Sequence, residues 1–248
     1  MKNPILRFVL LLCAVFCGAG SHSAFAFWDA APKPAAIVPN TEYIILSGGP
    51  SIYQWEKWKA QPHDIWWMNF VRAARIRIQE LQTAGVPAEQ ITWLVYSPSY
   101  KSRAKQEGQD LLSNIATVRE ASGIKLKFFE RTQEIFDYLN FGKPRDQIKI
   151  ADFEYFGHSN KACWMFDYSN NIDSASKVWL HEDDFSKIQP GIFAKDAFAK
   201  SWGCHTGESM SQKFRRATGI KMWGAVGRSQ YNTDELPTLA SPTGKWKY

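Results

Sequence analysis

Cysteine is scarce in this sequence: four in 248 residues, at positions 13, 17, 163 and 204. That is too few for a disulfide scaffold, and their spacing fits no zinc pattern built on paired cysteines. Long hydrophobic runs are also lacking. The longest, from Phe8 to Phe16, is too short for a comfortable membrane span. There is no internal repeat and no low-complexity tract, which excludes solenoids and arrays. Neither sign of charge dominates, with 30 Lys and Arg against 24 Asp and Glu and a net charge of +6. Such a mild excess gives no footprint for nucleic acid, so no nucleic-acid partner is expected. The turn Gly48-Gly49-Pro50 is not followed by Lys-Ser or Lys-Thr in P-loop spacing, so a nucleotide phosphate cradle is not indicated.

What is present begins with an export pattern. Lys2 and Arg7 precede the apolar run, and Ala24-Phe25-Ala26 supplies a small-x-small cleavage signal. Residues 1–26 therefore read as a signal peptide, which predicts a secreted or periplasmic protein with no stable membrane insertion after signal removal. Cleavage takes Cys13 and Cys17 away. Cys163 and Cys204 remain, and in an oxidising compartment they can simply pair. Residues 27–40, rich in Ala and Pro, read as a linker; 41–232 as one α/β domain; 233–248 as a tail with two prolines and little pattern.

Within the domain, apolar strand patterns alternate with helical ones. Glu42 to Ser47, Ile91 to Tyr96, Ile124 to Phe129, Ile148 to Phe156, Asp196 to Trp202 and Lys221 to Val226 read as strands. Asp64 to Ala84 reads as the clearest helix, with Trp67, Val71, Ala74, Ile78 and Leu81 on one face and Arg72, Arg75, Gln79 and Gln82 off it. Lys105 to Ala121, Thr132 to Leu139, Glu182 to Ile188 and Ser209 to Thr218 read as further helices. A small hairpin is expected from Ala162 to Leu180, turning at Asn170-Asn171. The remaining Lys and Arg read as a solvated face, with His63 and His181 on the surface. This alternation predicts a three-layer α/β sandwich around a mostly parallel sheet.

In such sheets reactive groups cluster beyond the carboxyl ends of the strands. Two ends carry them: Phe156-Gly157-His158-Ser159 and Ser201-Trp202-Gly203-Cys204-His205-Thr206-Gly207, with His158 and Cys204 46 positions apart. A nearby imidazole or a helix start favours the thiolate that a cysteine nucleophile needs. The same imidazole can return the proton to a leaving amine. Backbone N–H groups at Ser159 and Cys204 can hold an oxyanion. Gly157, Gly203 and Gly207 suit the tight turns.

Those two strand ends resemble the caspase-like cysteine peptidases, a group that includes caspases, legumains, gingipains, separases and CHAT peptidases. The resemblance covers Tyr43 to Tyr231. Gly85-Val86-Pro87-Ala88-Glu89-Gln90-Ile91 is similar to the helix-to-strand junction of the legumains, and Trp179-Leu180 to Ile188 resembles the short helix before the cysteine strand. The resemblance implies a caspase-hemoglobinase-like fold and a cysteine endopeptidase acting on protein or peptide, with no metal and no cofactor. His158 would be general base and acid, Cys204 the nucleophile, and the Ser159 and Cys204 N–H groups the oxyanion hole. Arg228, Ser229, Gln230 and Tyr231 would shape the specificity pocket. Ser159 stands where the family usually has Gly. The legumain arginine that reads asparagine has no counterpart near Asn69 and Arg72, so asparagine specificity is not implied. The alternative is the same fold used as a catalytically inactive binding or scaffold protein of the periplasm, with the pair inactive or bridged. His205 as the base, a metal set of His158, Cys163, Cys204 and His205, and an amidase or transpeptidase activity are weaker readings.

Overall fold

The computed structural model describes residues 40–57, 66–168 and 176–248. The expected signal (1–26), nearly all of the linker (27–40), His63 and the turn at Asn170-Asn171 lie outside them. The chain divides into two units, Met1–Ala30 and Ala31–Tyr248; all described residues belong to the second. Among them no helix is long and apolar enough to cross a membrane.

In chain order the elements are β1 (Thr41–Ser47), α1 (Tyr53–Lys57), α2 (Asn69–Thr83), β2 (Ile91–Tyr96), α3 (Ser97–Glu107), α4 (Leu111–Ser122), β3 (Lys125–Phe129), α5 (Thr132–Phe141) and β4 (Lys149–Phe156). They continue with β5 (His158–Ser159), β6 (Cys163–Met165), β7 (Trp179–His181), β8 (Phe193–Ser201), α6 (Met210–Thr218), β9 (Met222–Val226), β10 (Ser229–Gln230), β11 (Thr238–Leu239) and β12 (Lys245–Lys247). Short 3-10 turns occupy Ala88–Gln90, Glu182–Lys187 and Thr206–Glu208.

Seven strands form the main sheet in the order β12-β9-β8-β4-β1-β2-β3. All neighbours are parallel except β12, which runs antiparallel to β9. Side chains alternate across a strand, so each strand feeds two cores. On one face Ile44, Leu46, Phe153 and Tyr155 pack with α5, α6 and the 182–187 turn; on the other Tyr43, Ile45, Trp93 and Trp202 pack with α2 and α4. The expected α/β architecture with a mostly parallel sheet between helices is present.

Three expectations need correction. The single helix expected over 105–121 is two. Gly108 closes α3 in the left-handed conformation, and Asp110 starts α4 by accepting the Ser113 N–H at 3.1 Å, a side-chain cap that begins a new helix. The tail is not patternless: β11 pairs with β10, and β12 extends the main sheet. The basic residues are not all solvated either, for Arg72, Arg77, Arg103, Arg145 and Lys200 are buried. Arg145 meets Glu42 at 2.7 Å. Burial works against the Glu42 carboxylate, but hydrogen bonds from Tyr138 and Thr92 with the charges of Arg145 and Lys143 bring it below the usual range.

Candidate active site

The candidate pair follows two strands that are neighbours in the sheet. β4 and β8 are parallel, and Tyr155 is level with Ser201. His158 lies three residues beyond Tyr155, and Cys204 three residues beyond Ser201. Chains leaving parallel strands about 4.8 Å apart at the same level therefore bring these residues to one rim. Hydrogen bonds tie the ends together there. The Trp202 N–H donates to the Tyr155 carbonyl at 2.9 Å, and the Ser159 hydroxyl donates to the Cys204 carbonyl at 2.7 Å.

The imidazole of His158 is half-buried and held on several sides. Phe70, from α2, and Tyr168 present edge-on contacts at 4.9 and 4.8 Å between ring centres. The Ser51 hydroxyl lies 3.5 Å from Nε2. Tyr155 fixes the backbone, its hydroxyl donating to the His158 carbonyl at 2.7 Å. Ser51 itself is anchored, since the buried Arg103 donates to its carbonyl and Ser51 bridges to Tyr168. Nothing in the sequence marks Ser51 as a partner of His158. A lone hydroxyl after a Gly-Gly-Pro turn carries no signal of its partner without the fold.

On the cysteine side, Sγ of the half-buried Cys204 lies 3.6 Å from the Ser229 hydroxyl and 3.8 Å from its carbonyl. The expectation that glycines provide unusual backbone here needs refinement. Gly157, Gly203 and Gly207 are not among the left-handed glycines; the left-handed residue is His205, at φ 63°, a conformation that costs on the order of 1 kcal/mol outside glycine. It is held by its N–H donating to the Gly227 carbonyl at 2.7 Å and by Nδ1 at 2.6 Å from Glu208, which also accepts the Gly227 N–H at 3.0 Å. The hydrogen bond from His205 leads the effects that lower the Glu208 carboxyl. His205 thus anchors the loop. Gly203 is needed for close approach: a Cβ there would stand 2.1 Å from the Ser159 Oγ. Helix α6 begins six residues after Cys204, behind the 206–208 turn, so the sulfur is not at a helix start, and dipole effects fade within a turn.

For the oxyanion donors, the ladder's alternation is informative. The Asn160 N–H donates to the Cys163 carbonyl at 3.0 Å. Alternate residues of an antiparallel pair exchange bonds, so the Ser159 N–H turns away from β6. Cys163 and Cys204 both carry free thiols. Cys163 stands on β6 opposite His181. Burial first, then the charges of Glu182 and Asp184, pushes its thiol above the ordinary range, which leaves it a poor nucleophile.

The four residues expected to bind substrate diverge. Ser229 touches the sulfur. Tyr231 is tied to the histidine side, accepting the Gly157 N–H at 2.9 Å and packing edge-on to Phe70 at 4.9 Å, which makes it a support for the imidazole. Gln230 and Tyr231 line a shallow recess of about 460 Å³ with Asp234 and Glu235. Arg228 is exposed, and its carbonyl pairs with Ala240.

Beneath the rim lies a buried charge cluster that the sequence did not disclose. Asp152 and Glu154 on β4 share a face with Lys200 on β8. Arg77 of α2 binds both acids, Asp152 at 3.0 Å, and also Glu80 at 3.1 Å. Trp202 Nε1 donates to Glu154 at 2.6 Å. Lys200 Nζ sits 3.3 Å from the ring centre of Trp202 and 3.8 Å from that of Trp246. Burial lowers Lys200 to about 7, while burial and the charge of Glu154 raise Asp152. No family model, curated protein or solved structure matches the chain.

Proposed function

We propose that the chain is an exported cysteine endopeptidase of the caspase-like type, acting through Cys204 and His158. The observation that carries the reading is the level match of Tyr155 and Ser201 on adjacent parallel strands, which gives an imidazole and a thiol equal reach at one sheet rim. Free thiols at Cys163 and Cys204 favour this over the bridged scaffold.

In this reading Cys204 Sγ attacks the scissile carbonyl carbon. His158 takes the thiol proton and gives it to the leaving nitrogen as the C–N bond breaks. Water, deprotonated by His158, then cleaves the thioester and restores the thiol. The N–H groups of Ser159 and Cys204 stabilise the oxyanion of both tetrahedral intermediates. The export pattern of residues 1–26 supports an activity in the periplasm or outside the cell. The test is cleavage of a peptide library by the mature chain beside Cys204→Ala and His158→Ala. Each substitution lowers turnover by about 10³ or more. Unchanged cleavage in both variants overturns the reading.

A further inference from the structure

The small sheet that starts at His158 continues beyond it. His158 is opposite Met165, and Met165 is opposite Trp179. Directly opposite residues share a face, so the three stand in one row. The adjacent row, Ser159, Trp164 and Leu180, is buried, which turns the His158 row outward. The row is continuous. Tyr168 meets the imidazole edge-on at 4.8 Å, and its hydroxyl donates to Met165 Sδ at 2.8 Å. It ends at Trp179, whose surface is 52% exposed.

Resting on the reading of Cys204 and His158 as the reacting pair, we propose that Trp179 is a specificity determinant that receives a large apolar side chain on the leaving-group half of a peptide substrate. The direction follows from the chemistry. The imidazole must reach the leaving nitrogen to protonate it, so that half of the substrate passes His158 on the side away from the sulfur, which rests against Ser229. Trp179 lies two strand spacings from His158, about 10 Å. An extended peptide advances about 3.3 Å per residue, so the side chain that meets the indole belongs to the second or third residue after the scissile bond. Tyr168 and Met165 form the floor between, and a thioether adapts to varied apolar shapes.

The test compares the wild-type chain with Trp179→Ala and Trp179→Phe on two substrate sets sharing one acyl half. One set carries Phe or Ala at the second and third leaving-side residues; the other ends in an aminocoumarin. Trp179→Ala lowers kcat/KM for the Phe peptides roughly tenfold or more, mainly through KM. It leaves the Ala peptides and the coumarin substrates unchanged, and Trp179→Phe recovers most of the loss. Equal wild-type rates on Phe and Ala peptides, or an equal loss on every substrate, overturns the inference while the pair stands. A wild-type chain that cleaves neither set overturns both.

Discussion

Replacing Lys200 by Met tests the buried charge cluster without reference to any activity. Lys200 is 1% exposed. Facing it are Glu154 of β4, which favours its charge, and Arg77 of α2, which opposes it, with Glu80 adding a weaker attraction and two indole faces covering the ammonium. Desolvation outweighs these attractions and brings the folded value to about 7, against 10.5 for an ordinary lysine. Between those values the unfolded chain holds the proton and the folded chain has released it. The unfolded state thus binds more protons there, and stability climbs with pH. Below both values the full penalty is present. At about 1.4 kcal/mol per unit, the wild-type chain gains roughly 2 kcal/mol from this group between about pH 7 and pH 9. Met fills a similar volume and does not titrate. Urea denaturation midpoints at the two pH values, with unchanged slopes, should therefore show a wild-type rise that the variant lacks, the variant being the more stable at the lower pH. Parallel pH dependence in both chains would refute the account of Lys200 as a lysine that loses its proton on folding.

Two further outcomes follow from the rim. Ser51→Ala removes the hydroxyl 3.5 Å from His158 Nε2 and should lower kcat roughly tenfold with little change in KM, while Ser51→Thr keeps most of the rate; steady-state kinetics showing equal loss in both variants would assign Ser51 to packing. Gly203→Ala sets a methyl against Ser159 and should cost about 1–3 kcal/mol. Adding Ser159→Gly removes the clashing atoms, so the double-mutant cycle should show a coupling of about 1 kcal/mol or more, and simple additivity in thermal or urea melts would contradict the close approach.

Much of the frame is legible because burial on both faces leaves unbroken apolar runs, as in Tyr43 to Leu46 and Trp93 to Val95, bounded by turn residues. The break between α3 and α4 was written in Gly108 and Asp110, but the helical period runs on past both. Strand β12 is three residues long, too short for any period, and only its pairing with β9 defines it. Charged residues inside strands mislead most. Asp152, Glu154 and Lys200 alternate with apolar neighbours as solvent-facing positions do, and only the packing of α2, which brings Arg77, makes that face interior. His158 and Cys204 were legible as strand-end residues. Their level register, and the Ser51 and Tyr168 contacts, are properties of tertiary pairing.

The two strands that bound the main sheet, β3 and β12, have a common composition. Lys125 and Lys127 are exposed on one, Lys245 and Lys247 on the other, each pair flanking a single apolar residue. An unpaired strand is a template for growth by a second chain. Here any such addition, at either end, would set ammonium groups beside the incoming backbone about 4.8 Å away. A second copy offering its own β3 or β12 would set lysines against lysines, so the charge on both edge strands works against edge-to-edge pairing between copies of this chain.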